Sequence, residues 1–535
     1  MGEVMEVGGP QRASSSARIV PVVQDEAPQQ QFPVPFSSRS TPLGLLLLQQ
    51  HSSRETSDED FCLPTNTTAA ILTIDIPDKF GSHKQQQHDP DDWLPITQSR
   101  RGNAFTAAFH LLCSGIGIQA LLLPVAFVPL GWVWGTLCLT LVFAWQLYTT
   151  WLLVHLHEPG PAGAAGTRCS RYVVLSIIAF GPKLGKLLAI FPTMYLSGGT
   201  CVVIIITGGG IMELLYKLIC GDDPKCSSDT VLTGAAWFFF VFVCLAILVS
   251  QFFPSLHSLA PVSLIGSMAL ATYFTMLWTL SIREGRPGGV SYEPSKAAAS
   301  ERSRIRGIIN ALGIIALTFK GHNLILEIQG TIPTDPQHPS RHGMWRGVTA
   351  SYLLIAVLLF PLAIGGYWAY GNMMPAKGIL NALSSSLKHQ RTSKSVMATV
   401  YVIMLVHLFS AFQIYGMPVF DNLERIYVSK KNQACPRWVR SAIRVFFGGL
   451  TYFIAMAFPF LGSLGPFIGA ITLPLTLAYP CFMWLAIKKP KVLSSMWCLN
   501  FGLGSLGLVM SFLLAAAALW SLVADGLDAN FFKPH

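Results

Sequence analysis

Charged residues are scarce in this sequence. Asp, Glu, Lys and Arg make up 12% of its 535 residues, and 52% of the residues are hydrophobic, whereas a soluble domain carries about 25% charged residues. The mean hydropathy is +0.49. This composition excludes an ordinary soluble globular protein and predicts a chain whose surface mostly faces lipid. Because an open sheet would leave backbone groups unpaired in hydrocarbon, we expect the membrane part to be helical.

Motifs typical of several other classes of protein are also missing. The eleven cysteines contain no CxxC pair, which argues against a metal site or a disulfide framework. Cys220 and Cys226 flank a short polar loop, where a local disulfide is one interpretation if the loop is extracellular. We recognise no acyltransferase or protease constellation. The sequence therefore predicts no catalytic residues, no metal site and no cofactor.

The basic residues lie between the apolar runs and do not form one patch. The net charge is +10, yet Lys and Arg occupy loops, as Lys430, Lys431 and Arg437 do. This distribution is typical of contact with lipid headgroups and of topology control. Membrane lipid is therefore an expected partner, and nucleic acid is not.

The chain has two regions of different composition. Residues 1–95 are rich in Gln, Ser, Pro, Asp and His, which is typical of a disordered tail, and residues 96–535 form the predicted transmembrane domain. A helix needs about 20 apolar residues to cross a bilayer. Eleven such spans follow one another, at 103–128, 131–156, 186–216, 231–252, 256–282, 305–332, 345–370, 396–424, 440–460, 465–487 and 498–523. We expect an all-α polytopic membrane protein with about eleven transmembrane helices and, from a slight excess of Lys and Arg, a cytoplasmic tail.

Span 1 contains an interruption at mid-membrane depth. Ser114, Gly115, Ile116 and Gly117 lie near its middle, and each glycine weakens a helix by about 1 kcal/mol. A break at this depth is tolerated only where the freed backbone groups line a cavity or meet a ligand, and freed N–H groups suit a carboxylate. Close packing against a neighbouring helix is the alternative interpretation of the glycines.

Span 6 carries a matching interruption at Phe319, Lys320 and Gly321. Eleven residues separate Asn103 from Ser114, and eleven separate Gly307 from Thr318, so the two breaks fall at similar depth, five helices apart. Transporters built from inverted repeats break corresponding helices at a shared site near the bilayer midplane. We therefore predict that the substrate binds at these two breaks.

Ionisable residues inside the spans are candidates for proton coupling. Lys320 and Glu327 are costly in lipid, and their spacing would place them on one face of an unbroken helix. A structural ion pair is the alternative. His110 lies one turn before the first break and belongs to a residue type that titrates near neutral pH, although a lone helical histidine also serves packing. Tyr195, on a small hydroxyl-bearing face of span 3, is a further candidate for lining the substrate pocket.

Two acidic residues at the end of span 8 receive a different interpretation. Asp421 and Glu424 stand beside Arg425, close to the predicted end of the span. We expect them to form a solvated cluster at the membrane surface.

Six segments carry a family resemblance: WLPIT (93–97), HLLCSGIGIQALLLPVAF (110–127), FKGHNLILEIQ (319–329), PLAIGGYWAYG (361–371), FQIYGMPVFD (412–421) and LPLTLAYP (473–480). They resemble the plant amino acid/auxin permease family, and within it the long-tailed lysine/histidine-type amino acid transporters. The resemblance implies a LeuT-like fold of two inverted five-helix repeats, with helices 1 and 6 broken, plus an eleventh helix. It also implies a cytoplasmic N-terminus and a substrate whose amino and carboxyl groups are held at the two breaks.

The predicted function is a proton-coupled symporter that imports amino acids across the plasma membrane by alternating access. Amino acids and protons are its expected partners. Two alternatives have the same architecture: a transporter of another weak acid, such as an indole auxin, and a nutrient receptor that binds without transporting. A membrane enzyme would need a catalytic His or Cys at the bilayer face, and we do not expect one.

Overall fold

The structure is a computed structural model that describes residues 90–158, 160, 168–220, 235–293, 301–335, 337–388, 393–458 and 461–525. The chain divides into two units, Met1–Ser82 and His83–His535, and every described residue belongs to the second. Most of the predicted tail lies outside the described residues, as does Cys226, the predicted disulfide partner of Cys220. The described chain begins at Pro90, inside the segment assigned to the tail.

The regular elements of these ranges are all helices, which confirms the predicted all-α class. In chain order they are α1 (Ala104–Gly115), α2 (Leu123–Leu156), α3 (Tyr172–Phe180), α4 (Pro182–Cys220), α5 (Ala235–Phe252), α6 (Ala260–Glu284), α7 (Glu301–Thr318), α8 (Ile325–Gly330), α9 (Ser340–Tyr370), α10 (Ile379–Lys388), α11 (Lys394–Lys431), α12 (Arg437–Ala457), α13 (Leu461–Leu477), α14 (Tyr479–Lys488) and α15 (Ser495–Asp525). Short 3-10 helices cover Ile118–Leu122 and His322–Leu324.

All eleven predicted spans contain helix among their described residues, and spans 1, 6 and 10 consist of more than one helix, span 10 being divided between α13 and α14 at Ala478. Within the described ranges, nine helices are long and apolar enough to cross a membrane, and spans 1 and 6 are the two that do not meet this criterion. Span 1 consists of α1, the 3-10 helix and the first part of α2, and Gly131 separates it from span 2 with φ 70° and ψ −175°. Span 6 consists of α7, the second 3-10 helix and α8. The sequence therefore predicted the positions of both interruptions.

The first break has local causes on both sides. α1 begins with a capping box in which the Asn103 side chain accepts the N–H of Thr106 at 2.9 Å and the Thr106 hydroxyl accepts the N–H of Asn103 at 2.9 Å, so the helix start is fixed. α1 ends at Gly115, because Ile116 is extended, with φ −110° and ψ 120°. The break therefore lies 12 residues into the membrane part.

The helices pack in two groups around the breaks. In one group α9 contacts α1 and α2, and α2 contacts α7, whereas α4, α5, α11 and α12 form the other group. α6 contacts α1 and α9 of the first group and α11 of the second. Large buried side chains such as Phe127, Phe274 and Phe412 fill the interior. This arrangement places the interrupted backbone of spans 1 and 6 inside the protein and away from lipid.

Candidate substrate site and coupling groups

The two interrupted helices are hydrogen-bonded to each other. Ile116 and Phe319 form an isolated antiparallel bridge. Two backbone hydrogen bonds flank it, from the Gly117 N–H to the Thr318 carbonyl oxygen at 2.8 Å and from the Lys320 N–H to the Gly115 carbonyl oxygen at 2.9 Å. Non-helical backbone at membrane depth needs such partners. In this conformation these two N–H groups are held by carbonyls of the protein and are not open to a ligand.

The carbonyl oxygens at the end of α1 also have partners. The Ser114 carbonyl accepts the Tyr415 hydroxyl at 2.5 Å, and the His110 carbonyl accepts the Ser114 hydroxyl at 2.7 Å. Together with the bond from Lys320 to Gly115, these contacts cap the negative end of the helix dipole. The donors come from span 6, span 8 and α1 itself.

The glycines at the two breaks have different roles. Gly321 has φ +88° and lies in the left-handed region, which side chains with a Cβ rarely enter. Gly117 is extended, with φ −81° and ψ 159°, so its backbone would accept any residue. A Cβ at Gly117 would however lie 2.9 Å from Cε of Lys320 and 2.8 Å from Oε1 of Gln119. The Lys320 side chain therefore passes directly over Gly117, through the space that a Cβ atom would need.

A cavity of about 60 Å³ adjoins the two breaks. Its polar lining includes Gln119, Tyr195, Thr200 and Lys320, and α13 completes the wall with Thr472 and Thr476. One water needs about 10–15 Å³ on the same measure, so the cavity has room for more than one water. The Lys320 side chain forms neither a hydrogen bond nor an ion pair with the described residues, so its ammonium is the unpaired charge of the site.

The structure brings most of the predicted substrate residues together. Tyr195, Phe319 and Lys320 line the larger cavity. Gly115, Phe319, Lys320 and Gly321 line a second cavity of about 10 Å³ on the other side of the break. Gly117 lies under Lys320, as described above. Ser114 and Ile116 line neither cavity: Ser114 bonds within its own helix and to Tyr415, and Ile116 pairs with Phe319.

Several lining residues were not predicted. Gln119 lines the cavity beside Lys320, and its Oε1 is buried without a hydrogen-bond partner. Thr200 also lines the cavity, and it belongs to the hydroxyl-bearing face of span 3 that was a candidate for the pocket wall. Thr472 and Thr476 come from α13, whose Gly and Pro content was the feature visible in the sequence. A hydroxyl at every fourth position is the signal that would have indicated their shared face.

The proton-coupling candidates lie in three separate environments. His110 is buried, and its Nδ1 lies 2.6 Å from the Ser263 hydroxyl on α6. Glu327 is also buried; its Oε1 accepts the N–H of Tyr172 at 3.3 Å, and its Oε2 has no partner. Lys320 and Glu327 form no ion pair with each other, so the break separates two residues that an unbroken helix would have aligned. Glu327 instead faces the start of α3.

A short N-terminal segment covers the end of the bundle near Glu327. We call residues 91–97 the strap. The N–H of Ile96 donates to Asp421 at 3.3 Å, and the carbonyl of Pro95 accepts the N–H of Leu256 at 3.1 Å. Leu94, Ile96 and Thr97 are buried. The strap therefore joins α11 to the segment before α6.

Two buried ion pairs hold the strap in place. Arg171 contacts Asp421 at 2.6 Å and Asp91 of the strap at 3.2 Å, and Arg440 contacts Glu424 at 3.0 Å. Asp421 and Glu424 are fully buried, so the expectation of a solvated cluster with Arg425 is wrong. Their partners are distant in the sequence, and span 8 extends to Lys431, which places both carboxylates inside the helix and away from its end.

The loop around Arg171 has a fixed charge state. Burial alone would lower the pKa of Arg171, but the carboxylates of Asp421 and Asp91 outweigh it and raise that pKa. Burial, followed by the nearby Arg168, lowers the pKa of His157 to about 3. Burial also lowers the pKa of Arg168 to about 10. Arg171 and Arg168 therefore stay charged and His157 stays neutral across the physiological range.

The fold is similar to that of solved membrane transporters. A Na⁺-coupled sialic acid symporter in a substrate-bound outward-open state matches with TM-score 0.51 and 11% identity, over 82% of this chain and 92% of that chain. MhsT in complex with L-phenylalanine matches with TM-score 0.50 and 11% identity, over 78% of this chain and 98% of that chain. At these identities the likeness shows the fold alone. The chain thus has the LeuT-like transporter fold, with spans 1 and 6 broken.

Sequence comparison defines the family within this class. Residues 100–524 match the family described as transmembrane amino acid transporter protein, and the chain belongs to that family. Lysine histidine transporter-like 8 of Arabidopsis thaliana is 49% identical, over 84% of this chain and 85% of the relative. Lysine histidine transporter-like 7 of Arabidopsis thaliana is 46% identical, over 83% of this chain and 90% of the relative. These matches confirm a multi-pass amino acid transporter of the lysine/histidine type, and confirm that it is not an enzyme.

Proposed function

We propose that this amino acid transporter is a proton-coupled symporter that imports its substrate across the plasma membrane by alternating access. We infer coupling to protons from the carbonyl groups at the end of α1, which already accept hydrogen bonds from the protein. In transporters of this kind, unwound backbone carbonyls coordinate the coupling ion, and Na⁺ is a hard cation that needs oxygen ligands. Here the Ser114 carbonyl already accepts Tyr415 and the Gly115 carbonyl accepts Lys320. A proton needs no such cage of ligands.

The substrate occupies the cavity beside the breaks in this proposal. The unpaired Lys320 ammonium suits the substrate carboxylate, and the wall with Tyr195, Thr200 and Gln119 supplies hydroxyl and amide groups for the rest of the molecule. Residues 114–117 and 319–321 frame this position from both broken helices. When the cavity opens during the cycle, the backbone groups that now pair across the bridge become available to the ligand.

Three buried groups are candidates for carrying the proton: His110, Lys320 and Glu327. Glu327 has the strongest geometric support, since Oε2 is buried and lacks a partner. A proton on this oxygen neutralises the carboxylate and removes the cost of holding an unpaired charge away from water. Because Glu327 contacts the residue after Arg171, its charge also acts on the ion pairs that hold the strap.

The tail lies in the cytoplasm in this proposal, and the strap then closes the inner end. Cys220 is disulfide-bonded, and disulfides persist in oxidising compartments, which supports an extracellular position for the loop after span 3. Large exposed apolar side chains such as Val133, Phe446 and Phe512 face membrane lipid. We expect a tag at residue 1 to be inaccessible on intact cells and a tag after Pro534 to be labelled; the reverse pattern would rule out this orientation.

Purified protein in liposomes tests the coupling and the substrate together. Uptake of each of twenty amino acids, and of an indole auxin, is measured with an inward proton gradient, with and without sodium and a protonophore. We expect sodium-independent accumulation of amino acids that collapses with the protonophore. Accumulation of the auxin alone would indicate the weak-acid alternative, and binding without flux would indicate a receptor.

The size of the accumulation is fixed by the driving force. One proton entering down 100 mV contributes about 2.3 kcal/mol, and one pH unit adds about 1.4 kcal/mol. Their sum corresponds to a gradient of several hundredfold for a neutral amino acid carried with one proton. Uptake should therefore be electrogenic and should fall as the external pH rises.

A further inference from the structure

A second polar cluster lies on the far side of the span 6 break. His322 follows Gly321 and is fully buried. Its Nε2 lies 3.1 Å from the Thr149 hydroxyl, 3.1 Å from the Thr150 hydroxyl and 3.2 Å from the Gln146 carbonyl oxygen. The break thus directs the imidazole of His322 toward a row of polar groups on α2.

Several buried polar atoms of this cluster have no partner. They are Nδ1 of His322, both amide atoms of Gln146 and Oδ1 of Asn323. Leaving one buried polar group unsatisfied costs about 1–3 kcal/mol, and native proteins keep few such groups. Four of them around one break indicate a site that takes up something with hydrogen-bonding capacity.

A path of hydroxyl groups joins this cluster to the substrate cavity. The Thr150 hydroxyl lies 2.8 Å from the Tyr352 hydroxyl. Tyr352 lines the cavity of about 10 Å³ that Lys320 and Gly321 also line, which has room for about one water. Lys320 in turn lines the larger cavity. One water and two hydroxyls can therefore link Lys320 by hydrogen bonds to the Nε2 side of His322.

We propose that His322 is a proton-binding site of the transport cycle, linked to the substrate through Tyr352 and Lys320. This inference rests on the proposed proton coupling. The Gln146 carbonyl can only accept, so the hydrogen-bond pattern assigns a hydrogen to Nε2 and a lone pair to Nδ1. The proton adds to Nδ1 and converts the imidazole to an imidazolium.

The surroundings of His322 explain how this proton senses the substrate. The titratable groups beside it are Tyr352 on α9 and Lys320 on its own span, while α2 and α4 present hydroxyls and amides and α13 carries no charged residue. Among the described residues no carboxylate pairs with His322. The substrate carboxylate in the neighbouring cavity is therefore the anion that favours the protonated imidazole, and by linkage the proton favours substrate binding.

The test separates proton coupling from substrate exchange. His322→Gln keeps a hydrogen-bonding side chain of similar length but removes the titrating ring. In liposomes we expect it to exchange labelled for unlabelled amino acid without a gradient, yet to lose accumulation driven by a proton gradient. In the wild type, substrate affinity should rise on the order of tenfold on acidification, and in the variant it should not change.

Controls make each outcome decisive. His407→Gln replaces another buried histidine, whose Nδ1 contacts the Gly266 carbonyl at 3.2 Å, and should retain both activities. Tyr352→Phe removes the linking hydroxyl and should slow proton-driven uptake without removing exchange, which decides the matter if His322→Gln does not fold. Normal proton-driven accumulation by His322→Gln, or equal loss of exchange and accumulation in both variants, would overturn the inference. If the wild type itself does not use a proton gradient, the proposed coupling is what fails.

Discussion

Gly117→Ala is the sharpest perturbation of the candidate site. The backbone there is extended, with φ −81°, so alanine fits it without strain and lowers the entropy of the unfolded chain. The added methyl would lie 2.9 Å from Cε of Lys320 and 2.8 Å from Oε1 of Gln119, and both side chains must move. Both atoms belong to the ends of flexible side chains that line the cavity, so they can shift at little cost in the free protein, whereas bound substrate needs them in place. Overpacking against side chains held in place costs about 1–3 kcal/mol. If it falls on the bound state, substrate affinity drops by about 5- to 150-fold.

The assay measures surface abundance, equilibrium binding of a labelled substrate and initial uptake on the same preparation. We expect normal abundance with weakened binding. Gly210→Ala is the matched control, because a Cβ at Gly210 has nothing within 4 Å, and it should behave as the wild type. Wild-type affinity in Gly117→Ala would refute the position assigned to Lys320, and a loss of binding only in step with lost protein would indicate packing alone.

Three further changes test other parts of the structure. Gly321→Ala forces a Cβ into the left-handed region, at a cost of about 1–2 kcal/mol, and should lower folded abundance in contrast to Gly117→Ala. Asp421→Asn weakens the pair with Arg171, and breaking a buried pair costs about 3–5 kcal/mol; uptake should fall, and Cys169, which is buried in the wild type, should become reactive toward a thiol reagent. Buried neutral His157 has its pKa lowered from 6.5 to about 3, so acid destabilises the folded state as pH falls below 6.5; His157→Gln should recover about 2 kcal/mol near pH 5 in thermal unfolding.

Features that depend on local composition could be predicted from the sequence. Eleven apolar runs predicted the spans, and the glycines at 115, 117 and 321 predicted both interruptions at the correct residues. These features follow from hydropathy and helix propensity, which act over a few turns. Phe319 and Lys320 were predicted from the break in span 6, at the same depth as the break in span 1, and Tyr195 was predicted from the hydroxyl-bearing face of span 3.

Features that depend on distant partners were not predictable. Asp421 was assigned to the membrane surface because Arg425 is its visible neighbour, yet its partner Arg171 lies 250 residues away. The apolar helix α2 carries Gln146, Thr149 and Thr150. Their polar side chains indicate a site only once the contact with His322 is known. Tertiary packing determines which polar residues contact each other. A single sequence shows no periodic pattern from which these pairs could be predicted.

The hydrogen bonds between the two breaks also constrain how the protein is made. Ile116 pairs with Phe319, so the backbone groups of the first break find their partners only after about 200 further residues have been synthesised. At about 5–20 residues per second, that interval is about 10–40 s. During it, span 1 has to be inserted while its central polar backbone is unpaired. The first of the eleven spans is thus completed only once the sixth has been synthesised, and until then its retention depends on the insertion machinery or on water at the break.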